Sequence, residues 1–206
     1  MTNAKITNCL IVGVGGQGTV LASRLMSGAA MSAGLDVRGS ETIGMAQRGG
    51  SVASHVRMGR NIHSPIILPG EADVILAFEP CEGLRAMTWL KPGGMMIVCD
   101  RAIQPFSSGA EGGYDAAEVM ARIGSEAERL HVLSGEYIGE RCGIMCLNVA
   151  VLGAAAALGV LPFSADDLER VIRGRFSGRI ADMNKNALQT GAETVKNNGG
   201  MAAQWK

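Results

Sequence analysis

Leu10-Ile11-Val12-Gly13-Val14-Gly15-Gly16-Gln17-Gly18-Thr19 is the stretch that decides how this chain folds. The apolar run ahead of the glycines predicts a buried first strand over residues 5–12. After them, Leu21, Leu25, Ala29 and Met31 mark one face of a helix over Thr19–Ala33, stopped by Gly34. Strand, glycine turn and helix form the frame of a phosphate-cradling loop. In that frame Gly13 allows a tight turn, and Gly15 and Gly16 leave backbone N–H groups open. Gly18 lets the helix pack close to the strand. A helix N-terminus also carries partial positive charge and unpaired donors, which favour an anion.

Working outward, Asp36–Ser40 reads as a second strand and Glu41–Gly50 as a glycine-rich loop. Ser51–Met58 alternates: Val52, Ser54, Val56 and Met58 face one side, and Ser51, Ala53, His55 and Arg57 the other. With a return over Ile62–Leu68 it predicts an inserted β-hairpin. Ala72–Phe78 and Met95–Cys99 read as buried parallel strands around a helix reaching Leu90. A helix over Asp115–Arg129 and a strand over His131–Leu133 follow. Arg141–Leu158 reads as one Ala/Gly-rich helix, whose Ala150, Gly153, Ala154 and Ala157 suit close helix packing. Cys142 and Cys146 would share one face of it. Ser164 and Asp167 form a capping box, and a last helix covers Ile180–Lys196. The pattern predicts a Rossmann-like α/β fold: a mostly parallel sheet, helices on both faces, and a single domain over residues 1–206.

Zero formal net charge argues against a nucleic-acid or anionic-membrane partner, because either would demand a basic face. The polar start leads straight into a strand, with no signal-peptide pattern, so a cytoplasmic location is expected. The low charge, 18%, also suits a surface partly covered by a partner. The five scattered cysteines read as buried reduced thiols, and their spacing is not that of a cluster-binding motif.

Two constellations carry chemistry. The first is Gly13, Gly15, Gly16, Gln17, Gly18 and Thr19, with Glu41 at the separation where an acid binds a nucleotide ribose. The second is Arg48 with Gly49 and Gly50, where a guanidinium between glycines suits a phosphate or carboxylate. Two such loops at strand ends on one sheet can meet in a shared crevice. Among the histidines (His55, His63, His131), His55 is the best site candidate but reads more simply as a packed side chain. There is no Gly-x-Ser-x-Gly, His-Glu-x-x-His or Walker lysine. The chain offers a cradle without an evident acid, base or nucleophile, so no catalytic and no metal-ligating residue is assigned. Catalysis is then expected from a cofactor or another subunit.

Gly-Val-Gly-Gly-Gln-Gly (13–18) together with Gly-Met-Ala-Gln-Arg-Gly-Gly-Ser-Val (44–52) resembles the gamma-type domain of the 2-oxoacid:ferredoxin oxidoreductases. Val56-Arg57, Ser64-Pro65, the 72–77 strand, Lys91-Pro92-Gly93-Gly94, Asn148, Gly153, Asn184, Ala187 and Gly191 fit that pattern in order. The Met-Ala-Gln-Arg-Gly-Gly version is most similar to the beta subunit of the indolepyruvate branch. The resemblance implies oxidative decarboxylation of an aryl 2-oxoacid to its acyl-CoA, with ferredoxin as acceptor through the complex. It implies a larger alpha subunit carrying thiamine diphosphate and [4Fe-4S] clusters, and no cofactor held tightly by this chain alone. Gly15–Thr19 and Arg48–Gly50 are the expected contacts, positioning either an anionic ligand, with coenzyme A as the candidate, or the partner's active-site loop, and the isolated chain could form a homodimer.

Other classes share parts of the pattern. A stand-alone NAD- or flavin-binding oxidoreductase shares the glycines and Glu41 but leaves the Arg48 loop unexplained. A ubiquitin-activating-type adenylating enzyme requires an Asp-x-Asp pair where this chain reads Asp36-Val-Arg-Gly-Ser-Glu-Thr42. A non-catalytic binding module requires a large apolar patch, which the 141–158 helix could supply.

Overall fold

The computed structural model describes residues 6–44, 49–103 and 114–197, the side chain of Asn197 excepted. The first strand, β1 (Thr7–Val14), runs up the middle of a six-stranded sheet and ends at the glycines. Helix α1 (Thr19–Ser32) carries the chain back to β2 (Asp36–Ile43). The next strand, β3 (Ser51–Gly59), then slots between β2 and β1, antiparallel to both. On the other side β4 (Ala72–Ala77), β5 (Leu90–Cys99) and β6 (Arg129–Leu133) add in parallel, giving the order β2-β3-β1-β4-β5-β6.

The hairpin is therefore β2–β3, and not Ser51–Met58 with Ile62–Leu68. Pro65 cannot donate to a ladder, and side chains satisfy the neighbouring backbone instead. Arg57 donates to the carbonyls of Ser64 and Ile66, and the Ile67 N–H donates to His55 Nδ1 at 3.2 Å. The second strand also runs past Ser40 to Ile43, because Thr42 and Ile43 pair with Ala53 and Val52. Exposed Asp36, Arg38 and Glu41 sit along this outer strand, where charge discourages unwanted pairing.

Alternation along the central strands feeds two cores. Cys9, Ile11, Val74, Leu76, Met95 and Ile97 face α1, α5 (Leu147–Ala157), α6 (Ala165–Arg175) and α7 (Gly178–Asn197). Leu10, Val12, Ile75, Ala77, Met96 and Val98 face α2 (Pro80–Ala86) and α3 (Ala116–Glu126). Each large apolar side chain sealed in this way contributes about 1.5–3 kcal/mol. All five cysteines are free thiols; four are buried and Cys81 is half-buried. Burial pushes Cys99 up to about 12 and Cys142 to about 11, so both stay protonated at neutral pH.

The expected helix over Arg141–Leu158 is broken. One piece, α4, covers Gly135–Cys142; a 3-10 turn spans Ile144–Cys146; α5 follows, with a bend of 110° between the helical segments. Gly143, at φ 83°, makes the corner. Cys142 and Cys146 thus lie on separate elements. Residues Leu147–Ala155 are all buried, largely against α7, so they form no surface patch of the kind a binding module needs. The Ser164–Asp167 capping box is formed as expected. Among the described residues no single helix is long and apolar enough to cross a membrane.

Candidate functional site

The carboxyl ends of β1 and β5 open on a cleft of about 400 Å³, where open α/β sheets bind ligands. Val14, Gly15, Gly16, Gln17 and Gly49 line one side, and Arg101, Ile103, Ile144, Met145 and Leu147 the other. The two glycine segments meet there, as their positions on one sheet suggested. The Gly15 N–H donates to the Gly50 carbonyl at 2.8 Å, which takes that donor away from a ligand. Gly16, at φ 101°, has nothing within 4 Å of where a side chain would start, so its backbone faces open space.

Gln17 braces the loop from within. Its Oε1 accepts from the Val14 N–H at 2.8 Å, and its Nε2 donates to the Phe78 carbonyl at 2.8 Å. Gly13 leaves room for this brace, since a Cβ there would meet Gln17 Oε1 at 2.7 Å. Gly18 begins α1 in the left-handed region, with no side-chain cap and no acidic residue in the first turn. The helix dipole is therefore unopposed at this end. Gly18 does not serve close packing on the strand. It abuts Asn148 of α5, whose amide donates to the Gly18 carbonyl at 3.2 Å. Thr19 is buried at 3% exposure and does not line the cleft.

Glu41 belongs elsewhere. Because β3 intervenes between β1 and β2, Glu41 pairs in register with Ser54 and accepts a hydrogen bond from Ser23 Oγ at 3.1 Å. It lines a separate groove with Arg24 and Ser27 on α1. The arrangement of an acid beside the glycine turn, which a ribose would need, is not built. Arg48 lies outside the described residues, while Gly49 and Gly50 stand at the cleft's edge. His55 is buried with Nδ1 occupied, and burial lowers its pKa, so it is a packed neutral histidine.

Sequence reasoning missed Arg101, the cation among the described lining residues, because nothing local marks the residue after Asp100 as special. It also missed Glu79, 1% exposed at the end of β4. Glu79 Oε2 caps α2 by accepting from the Glu82 N–H at 2.9 Å. Its Oε1 accepts from the Ile103 N–H at 3.4 Å and from the Tyr114 hydroxyl. The signal for it was Pro80, which marks a helix start and so a capping residue before it. Burial raises the Glu79 pKa above the usual 4.5, against the pull of its backbone N–H donors. The folded protein therefore binds this proton more tightly than the unfolded chain does. Stability from this group is fully present below the unfolded value and declines as pH rises through the folded one. Urea midpoints of wild type and Glu79→Gln, compared from pH 8 down to pH 5, should shift in favour of wild type. A constant difference would show that Glu79 titrates normally.

Comparisons with known proteins give the family and the fold. The family model described as Pyruvate ferredoxin/flavodoxin oxidoreductase matches residues 8–194. "Indolepyruvate oxidoreductase subunit IorB" of Archaeoglobus fulgidus is 37% identical over 187 residues, covering 89% of this chain and 92% of that protein. The "Pyruvate/ketoisovalerate oxidoreductases common subunit gamma" of Pyrococcus furiosus is 26% identical over 191 residues, covering 89% and 94% respectively. A solved keto/oxoacid ferredoxin oxidoreductase gamma subunit from Geobacter sulfurreducens PCA shares the fold with a TM-score of 0.67. It is 22% identical and covers 94% of this chain and 98% of its own.

Proposed function

The chain belongs to the pyruvate ferredoxin/flavodoxin oxidoreductase family, and on that premise we propose that it is the small subunit of an indolepyruvate-type 2-oxoacid:ferredoxin oxidoreductase. The complex would convert an aryl 2-oxoacid and coenzyme A to acyl-CoA and carbon dioxide, passing the electrons to ferredoxin. The thiamine diphosphate that supplies the carbanion chemistry and the iron–sulfur clusters that take the electrons would both sit on a larger partner subunit. The higher identity to the indolepyruvate relative supports the aryl substrate.

The composition of the cleft carries this reading. Its described lining is glycine, apolar residues, Arg101 and Gln17, whose amide is already bonded to Val14 and Phe78. Such a surface binds and orients an anionic group and excludes water; it does not itself exchange protons with a substrate. The open Gly16 backbone, the uncapped start of α1 and Arg101 fit a phosphate or a carboxylate. Those residues would hold coenzyme A by its charged end, with Arg48 as a further contact. Met145, 80% exposed at the rim, offers the partner subunit an apolar contact.

Co-expression with a candidate large subunit tests the assignment. The purified pair should reduce a low-potential dye in the presence of indolepyruvate and coenzyme A, and this chain alone should not. Activity from the single chain, or none from the pair on any 2-oxoacid, would refute it. Within the active pair, Arg101→Ala should raise the KM for coenzyme A about tenfold, the loss of roughly one charge-assisted contact. An unchanged KM would move the anionic ligand out of this cleft.

A further inference from the structure

Glu79 lies behind the cleft, its carboxylate bonded to the lining residue Ile103, and no step of the proposed reaction uses it. Capping α2 needs only one acceptor oxygen, which a short Ser, Thr, Asn or Asp would supply. Glu79 instead keeps a carboxylate 1% exposed, with no ion pair among the described residues. Burying such a charge is costly unless hydrogen bonds hold it. The second oxygen explains the cost, since it takes the Ile103 N–H and the Tyr114 hydroxyl together. Ile103 belongs to the cleft wall, two positions after Arg101. On the other side, the carbonyl of the preceding residue, Phe78, receives Gln17 Nε2 at 2.8 Å. Residues 78 and 79 therefore grip both walls, the glycine loop through a backbone carbonyl and the Arg101–Ile103 wall through a carboxylate.

We propose that Glu79 is a positioning residue that holds the Arg101–Ile103 wall at a set spacing from the glycine loop, so that the Arg101 guanidinium meets the anionic group of the ligand. The proposal rests on the reading that the cleft holds an anionic cosubstrate. Tyr114 is the second half of the device, since its hydroxyl shares the same carboxylate oxygen. Glu79→Gln leaves one oxygen to serve both the α2 cap and the wall, so one of them loses its acceptor. Tyr114→Phe removes one donor to Glu79 Oε1, the oxygen that holds the wall, and leaves the cap on Oε2 intact.

The test is steady-state kinetics on the assembled two-subunit enzyme, with coenzyme A as the varied probe and dye reduction as the readout. Glu79→Gln should raise the KM for coenzyme A about tenfold and Tyr114→Phe about threefold, as expected for losing hydrogen bonds to a charged group, with kcat little changed. Both effects should vanish in an Arg101→Ala background, because they act through that side chain. Hydrogen exchange of the Ile103 amide should quicken in both single variants. If Glu79→Gln lowers only the melting temperature while Arg101→Ala still raises KM, Glu79 is a helix cap alone and the positioning role falls. If Arg101→Ala leaves KM unchanged, the cleft reading itself falls and takes the proposal with it. Should Glu79→Gln not fold, Tyr114→Phe with the exchange measurement decides.

Discussion

Replacing Gly191 with alanine is expected to destabilise the protein by about 3 kcal/mol, although alanine is the better helix former. The intrinsic preference of a helix for alanine over glycine would favour the variant by about 1 kcal/mol. Packing opposes it and wins. A Cβ on Gly191 would lie 1.8 Å from the carbonyl oxygen of Ala150, and one on Gly153 would lie 2.1 Å from that of Leu188. The contact is reciprocal, Gly153 of α5 and Gly191 of α7 each facing backbone on the other helix. Backbone cannot rotate out of the way as a side-chain end can. Ordinary contact begins near 3.4 Å, so α7 must retreat by about 1.6 Å, the difference between the two distances. The far side of α5 offers no slack, since Val149, Val151 and Leu152 are fully buried. A calorimetric scan should show the melting temperature falling by roughly 10 °C. Gly174→Ala supplies the contrast. Gly174 is exposed within α6, with nothing within 4 Å of a new Cβ, so the same exchange there should be neutral or slightly stabilising. A Gly191→Ala midpoint within a degree or two of wild type would mean that the helices do not cross this closely.

That crossing was half legible in the sequence. Small residues at 150, 153 and 154 announced close packing, and Asn184, Ala187 and Gly191 stood in the last helix, but nothing local says which helices pair. The strand–glycine–helix start was legible because strand and helix periodicities meet at Gly13–Thr19 within one window. The sheet order was not. Insertion of β3 between β1 and β2 is a tertiary event, and it removed Glu41 from the glycine cleft. The corner at Gly143 was hidden because a single glycine in an Ala-rich apolar run reads equally well as helix interior or helix stop. In the site, the meeting of the two glycine loops could be anticipated from their shared position at strand ends. Arg101 and Glu79 could not, because their importance lies in what long-range folding brings to them.

Gly18→Ala is expected to damage both stability and activity, for two separable reasons. The residue sits at φ 80° and ψ 31°, a region that costs an L side chain about 1–2 kcal/mol. The new Cβ would also stand 2.3 Å from Asn148 Nδ2. Asn148 has no easy retreat. It is 2% exposed, its amide nitrogen donates to the Gly18 carbonyl, and its Oδ1 accepts the Val149 N–H at 2.9 Å. Moving it leaves buried polar groups without partners, a further penalty of about 1–3 kcal/mol. Gly18 also directly follows Gln17, which lines the cleft, so its displacement disturbs the glycine loop there. The variant's kcat/KM for coenzyme A in the assembled enzyme should fall about a hundredfold, the equivalent of roughly 2.7 kcal/mol. Adding Asn148→Ala separates the causes. The double variant escapes the collision but keeps the backbone strain, so the two substitutions should couple by about 1–2 kcal/mol in urea unfolding. Strict additivity would place the whole cost in the dihedral angle and leave Asn148 no part in shaping the mouth of the cleft.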